Sequence, residues 1–85
     1  MMTNKSFQNW LRGYFTLAHK DSWGKDQLSI ILNHLSQVRL HEGYLGSTNQ
    51  AIFDAVDNPH ITGEYEGVRG TVFSILKSDA GDVVL

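Results

Sequence analysis

Residues 7 to 18, Phe-Gln-Asn-Trp-Leu-Arg-Gly-Tyr-Phe-Thr-Leu-Ala, carry four aromatic side chains and two leucines in twelve positions. At about 100° per residue, Phe7, Trp10, Leu11, Tyr14, Phe15, Leu17 and Ala18 fall on one side of a helix, and Gln8, Asn9, Arg12, Gly13 and Thr16 on the other. Burying one large apolar side chain contributes about 1.5–3 kcal/mol. Covering this stripe therefore dominates the folding of the chain, and the N-terminal helix is its nucleus.

The cover has to come from few residues. A chain of 85 residues reads as one domain, 1–85, that buries roughly 60% of its unfolded surface. With 41% hydrophobic and 19% charged residues the composition is that of a globular protein. No cysteine is present, which removes disulfides, thiolate metal ligands and thiol nucleophiles together and suits a reducing compartment. The start, Met-Met-Thr-Asn-Lys-Ser, has no apolar run of the signal-peptide kind, and no 18 apolar residues follow one another. The expectation is a cytoplasmic protein without a membrane partner. Net charge is −2, split as five basic and three acidic residues in 1–42 against two basic and six acidic in 43–85. Neither half offers the cluster of Lys and Arg that phosphate binding requires, so nucleic acid is not expected as a partner.

The first helix is expected to start at Asn4 or Ser6, as caps, and to fade near His19. A second is expected from Trp23 or Gly24 to about Glu42, capped by Asp21 or Ser22. Its stripe of Leu28, Ile31, Leu32, Leu35 and Val38 faces the first helix, making an antiparallel hairpin with the Trp23 indole over one end. Gly43 and Gly46 end it. Ser47-Thr48-Asn49-Gln50 reads as a capping box for a short third helix that stops at Asn58-Pro59. In residues 60–78, Tyr65, Val68, Val72, Ile75 and Leu76 share a helical face, with Thr62 as cap, Glu64 and Glu66 in the first turn and Lys77 in the last, placed to suit the helix dipole. The expected fold is thus all-α, a four-helix mini-domain built on an N-terminal hairpin. The alternative is α+β, with a C-terminal β-hairpin turning at Ser78-Asp79-Ala80-Gly81 into Val83-Val84-Leu85.

Catalytic arrangements are missing from the pattern. Glu64 and Glu66 are two apart and do not face each other on a helix. Asp54 and Asp57 lie at an exposed helix end, and no Ser-His-Asp set or glycine-rich phosphate loop appears. The expectation is a protein that is not an enzyme and uses no cofactor or metal. His34 and His41 stand about 10 Å apart along a helix, too far for one zinc ion. A helix-turn-helix reading of 28–57 fails on its recognition helix, since Thr48–Asp57 holds two aspartates and no Lys or Arg.

One surface stands out. Ile30, His34, Gln37 and His41 fall together, about 100° or more from the centre of the buried stripe of the second helix. They form a candidate partner-binding strip in which imidazole would confer sensitivity to mild acid. Arg12 and Tyr44 are added as residue types that anchor interfaces. Gly13 is either a point of close approach or a tolerated weakness in the first helix.

The run Phe7-x-x-Trp10-Leu11-x-Gly13-Tyr14, with Gln27, Ile30-Ile31 and His34-Leu35, resembles a loose group of small proteins of tailed phages and prophages, over roughly residues 6 to 40. The resemblance implies a phage accessory protein that acts by binding and altering a host or phage protein, in the host cytoplasm. It implies no catalytic residues. The expected function is a non-catalytic protein–protein interaction module that inhibits or modulates a host protein. Two alternatives stand beside it: an oligomer binding a small, nucleotide-type ligand between subunits with Tyr44, Arg12 and the histidines, and a structural or assembly component. A homo-oligomer is compatible with all three.

Overall fold

A computed structural model describes residues 2–17 and 23–80. Four helices follow in order, α1 Asn4–Leu17, α2 Lys25–Glu42, α3 Gly46–Thr62 and α4 Val68–Ala80. Among the described residues there is no strand. The all-α architecture stands, and the β-hairpin alternative does not, because Thr71–Ala80 is helical. The tail Val83–Leu85 lies outside the described residues, as do Ala18, His19 and the cap candidates Asp21 and Ser22.

The core is the predicted stripe and its cover. Phe7, Leu11 and Phe15 of α1 are buried with Leu28, Ile31, Leu35 and Val38 of α2, Ile52 and Val56 of α3, and Val68, Val72 and Leu76 of α4. Trp10 and Tyr14 are only half-buried and form the flank of α1 toward α2. Trp23, just ahead of α2, is 1% exposed and closes the end of the hairpin, its ring 4.9 Å from Phe15 and 5.8 Å from Tyr14. Arg69 of α4 reaches the C-terminal turn of α1, where Nη2 donates to the Phe15 carbonyl at 3.5 Å and the guanidinium lies 5.0 Å from the Phe15 ring. A cation there complements the negative end of the α1 dipole. Phe73 meets the edge of Phe15 at 5.7 Å.

The caps differ from those expected. Thr3, not Asn4 or Ser6, caps α1: Ser6 N–H donates to Thr3 Oγ1 at 3.1 Å while Thr3 N–H donates to Ser6 Oγ at 2.7 Å, a reciprocal box with serine in the place usually held by Glu. Gly24 precedes α2, with Gln27 Oε1 accepting from its N–H at 2.7 Å. Ser47–Gln50 is not a capping box. The helix has already begun at Gly46, no side chain caps it, and Gln50 instead reaches forward to Asp54. A glycine permits this early start, since Gly46 takes φ +77, a conformation costly for other residues.

Two boundaries move for physical reasons. α3 runs through Pro59 to Thr62, past the expected stop. So close to the helix end, proline sacrifices one hydrogen bond. The turn beyond it is closed by Gly63, which takes φ +81 and donates its N–H to the Pro59 carbonyl at 2.8 Å. α4 consequently begins at Val68, not at Thr62. Thr62 is the last residue of α3, and Glu64 and Glu66 belong to the connection instead of a first helical turn. Gly67, at φ +82, places its carbonyl to accept from the N–H and hydroxyl of Thr71.

One polar residue is sunk in this core among the described residues, besides the buried indole N–H of Trp23. Asn49, 1% exposed, donates from Nδ2 to Asn4 Oδ1 at 2.8 Å and to the Asn4 carbonyl at 3.3 Å, and accepts at Oδ1 from Gln8 Nε2 at 3.2 Å. It fixes the register of α3 against α1. Glu42 Oε1 adds a contact from the end of α2 to the Asn4 N–H at 3.3 Å.

Candidate interaction surface

Helical geometry sets four of the six candidate residues on one line. Ile30, His34, Gln37 and His41 lie on one flank of α2, about 100° around the helix from Leu28, Ile31, Leu35 and Val38, which point into the core. From Ile30 to His41 the strip runs about 16 Å. Ile30 is 39% exposed, and Gln37 and His41 are exposed. His34 is held at the inner edge. Its ring stacks on Trp10 with centroids 3.7 Å apart and planes 12° from parallel, and its Nδ1 is 2.8 Å from the Ile30 carbonyl. The carbonyl can only accept, so the Nδ1 of a bonded His34 carries the proton and Nε2 is left for other partners. Trp10 in turn stacks on Tyr14 at 5.1 Å, giving the strip an aromatic border. Burial pushes the Tyr14 phenol above its ordinary pKa.

Tyr44 follows the left-handed Gly43 that ends α2 and is 62% exposed. Arg12 is not brought into the strip. At about 100° per residue it stands about 200° from Trp10 around α1, and its Nη1 donates to Asn9 Oδ1 at 3.3 Å. Helical geometry thus sets Arg12 on a different side of α1 from Trp10, the ring that stacks on His34.

The sequence reading missed the most exposed large apolar residue of α2. Leu40 is 82% exposed, and with Met2, Gln37 and His41 it borders a depression of about 240 Å³. The signal was available, for Leu40 is two residues beyond Val38 and so turns away from the core. Charge is as informative as apolarity here. Gln27–Val38 contains no Asp, Glu, Lys or Arg, and the next charged residue, Arg39, lies over the Phe53 ring of α3 at 5.1 Å, away from the strip.

No family model, curated protein or solved structure matches the chain. The surface has to be interpreted from its own chemistry.

A second concavity, an open groove of about 720 Å³ between α3 and α4, is lined by small and hydroxylated residues such as Ser47, Ala51, Thr71 and Ser74. Neither Gly13 nor Gly70 serves close packing, since a Cβ at either would meet nothing within 4 Å. Among the described residues no three His, Asp or Glu come together as metal donors, and no helix is long and apolar enough to cross a membrane.

Proposed function

We propose that the protein is a non-catalytic protein–protein interaction module which presents the outer face of α2 to a protein partner. Its resemblance over residues 6–40 to small phage and prophage proteins implies a host or phage protein as partner, and the reading taken is a host protein whose activity the module inhibits or modulates in the host cytoplasm. One observation carries the reading. Ile30 and Leu40 are exposed on α2 and Tyr44 just past its end, and α2 has no charged residue between Gln27 and Val38. The cores of protein interfaces are depleted in charge and enriched in aromatic residues, and exposed tyrosine is a frequent anchor.

The test is capture by the immobilised protein from an extract of the bacterial host. Leu40→Asp and Tyr44→Asp place charge on the face at positions too exposed to affect folding by more than about 0.5 kcal/mol. Each is expected to lower capture at least tenfold. Ile61→Asp changes an apolar residue that is 75% exposed at the far end of α3 and is expected to leave capture intact. Undiminished capture by both face variants would remove the reading.

A further inference from the structure

We infer that His34 Nε2 is the hydrogen-bond acceptor by which the α2 surface selects its partner: the partner sets a neutral N–H or O–H group against this atom, and is released when mild acid protonates it. The inference rests on the reading of α2 as the binding surface, and names the group which that surface recognises.

Two contacts hold the ring. Its face lies on Trp10, with centroids 3.7 Å apart and planes 12° from parallel, and its Nδ1 lies 2.8 Å from the Ile30 carbonyl. A carbonyl only accepts, so Nδ1 carries the proton, and in the neutral imidazole the other nitrogen is then an acceptor. The fold thereby chooses the tautomer, because the hydrogen bond made by one ring nitrogen sets the protonation of the other. The two nitrogens point away from each other around the ring, so an Nδ1 directed at the helix backbone turns Nε2 outward. Nε2 forms no hydrogen bond among the described residues and is open to solvent.

A side chain already held by a ring stack and a hydrogen bond loses little further freedom on binding, whereas Gln37 and His41 are exposed and have to be ordered. The surroundings of Nε2 are apolar or aromatic, with Ile30 one turn before it, Trp10 against the ring and Tyr14 stacked on Trp10. Once covered, a lone acceptor in such surroundings has to be satisfied, since a buried polar group without a partner is destabilising. It selects against a carboxylate, which has no proton to give. It selects against ammonium and guanidinium too, because Gln27–Val38 holds no Asp or Glu to balance a cation taken out of water. A neutral amide N–H or a hydroxyl fits.

Protonation inverts the role of the atom. With a proton on both nitrogens the ring only donates, and the partner's N–H or O–H then meets another N–H. An imidazole takes up its second proton between about pH 8 and pH 5. On α1 the groups beside the ring are Trp10 and Tyr14, whose phenol burial pushes above its ordinary pKa, so it stays neutral through this range. Arg12 stands on another side of α1. On α2 the neighbours along the strip are Gln37, one turn on, and His41, two turns on, with no charged residue from Gln27 to Val38.

The first experiment needs no partner. Nitrogen NMR of the imidazole rings in the folded protein at about pH 8 separates the two tautomers. His34 is expected in the Nδ1–H form, and His41 in the Nε2–H form that a solvated histidine favours. His34 in the Nε2–H form overturns the inference. The second is capture from host extract, read as the ratio between about pH 7.5 and about pH 5.5. Wild type is expected to lose at least tenfold, and His41→Gln, which removes the other imidazole of the strip, to lose as much. His34→Gln keeps an acceptor oxygen and does not titrate, and is expected to capture equally at both values. A wild type whose capture does not fall, or a His34→Gln variant that falls as far as wild type, overturns the inference. If capture in that case still depends on Leu40 and Tyr44, the functional reading stands. If neither Leu40→Asp nor Tyr44→Asp lowers capture, the functional reading fails, and the role of Nε2 in binding fails with it, whichever tautomer His34 shows.

Discussion

Phe15→Ala is expected to lower stability by about 3–5 kcal/mol, the usual cost of removing a buried aromatic ring. At roughly 0.05–0.15 kcal/mol per residue, a chain of this length has on the order of 4–13 kcal/mol in total, so the variant is marginal or unfolded at 25 °C. The size of the effect follows from how many elements meet at this ring. Trp23 lies 4.9 Å away at the start of α2, Phe73 of α4 packs at its edge, and Arg69 both covers the ring and bonds the carbonyl of the same residue. Truncation empties the junction of three helices. Urea unfolding followed by far-ultraviolet circular dichroism measures it, with Phe15→Leu as the comparison: leucine fills much of the volume and should lose only the aromatic contacts, about 0.5–1.5 kcal/mol for each pair. A loss below about 1 kcal/mol for Phe15→Ala would mean that α4 is not held to α1 as described.

The second large effect is expected at Asn49, where changing one atom type tests the buried polar node. Asn49→Ala should cost about 1–3 kcal/mol, as Asn4 and Gln8 lose their partner. Asn49→Asp should cost more at neutral pH. Its carboxylate has no N–H to offer Asn4 Oδ1 or the Asn4 carbonyl, and it would be ionised at a position only 1% exposed. Burial and the facing acceptors raise the folded pKa of that carboxyl above the unfolded value of about 3.9. Between the two pKa values the unfolded chain releases a proton that the folded chain keeps, so stability falls as pH rises through that window and is greatest below it. The stability gap between Asn49→Asp and wild type should therefore narrow as pH is lowered from 7 toward 4. A gap that does not change with pH would show that position 49 is open to water.

These two sites also mark what a reader of the sequence can and cannot see. Phe15 was legible because an amphipathic stripe announces its own burial: Phe7, Leu11 and Phe15 recur at intervals of four, as do Val68, Val72 and Leu76 in α4. Asn49 was not. In the sequence it sits between polar neighbours that look like a cap, and its burial follows from sharing a face with Ile52 and Val56, which matters only once α3 lies against α1. The α3 boundary was misplaced because a local rule about proline competed with tertiary packing of Val56 and a glycine closure at Gly63. The same competition placed Thr62 and Glu64 in the wrong element. On the candidate surface, the 3.6-residue period was enough to align Ile30, His34, Gln37 and His41. It could not reveal that His34 rests on Trp10, a contact between helices, nor that Arg12 faces away. Leu40 was overlooked for a simpler reason, since a leucine in a helix is ordinarily assigned to the core.

The claim that the outer face of α2 is where this protein works is tested most directly by side-chain footprinting with hydroxyl radicals. The protein would be compared at submicromolar concentration, alone and in an extract of its bacterial host, with Ile61 as an exposed internal reference. Oxidation of Leu40 and Tyr44 is expected to fall several-fold in the extract while that of Ile61 is unchanged. Leu40 and Tyr44 remaining as reactive as Ile61, or protection confined to Ile61, would contradict the account.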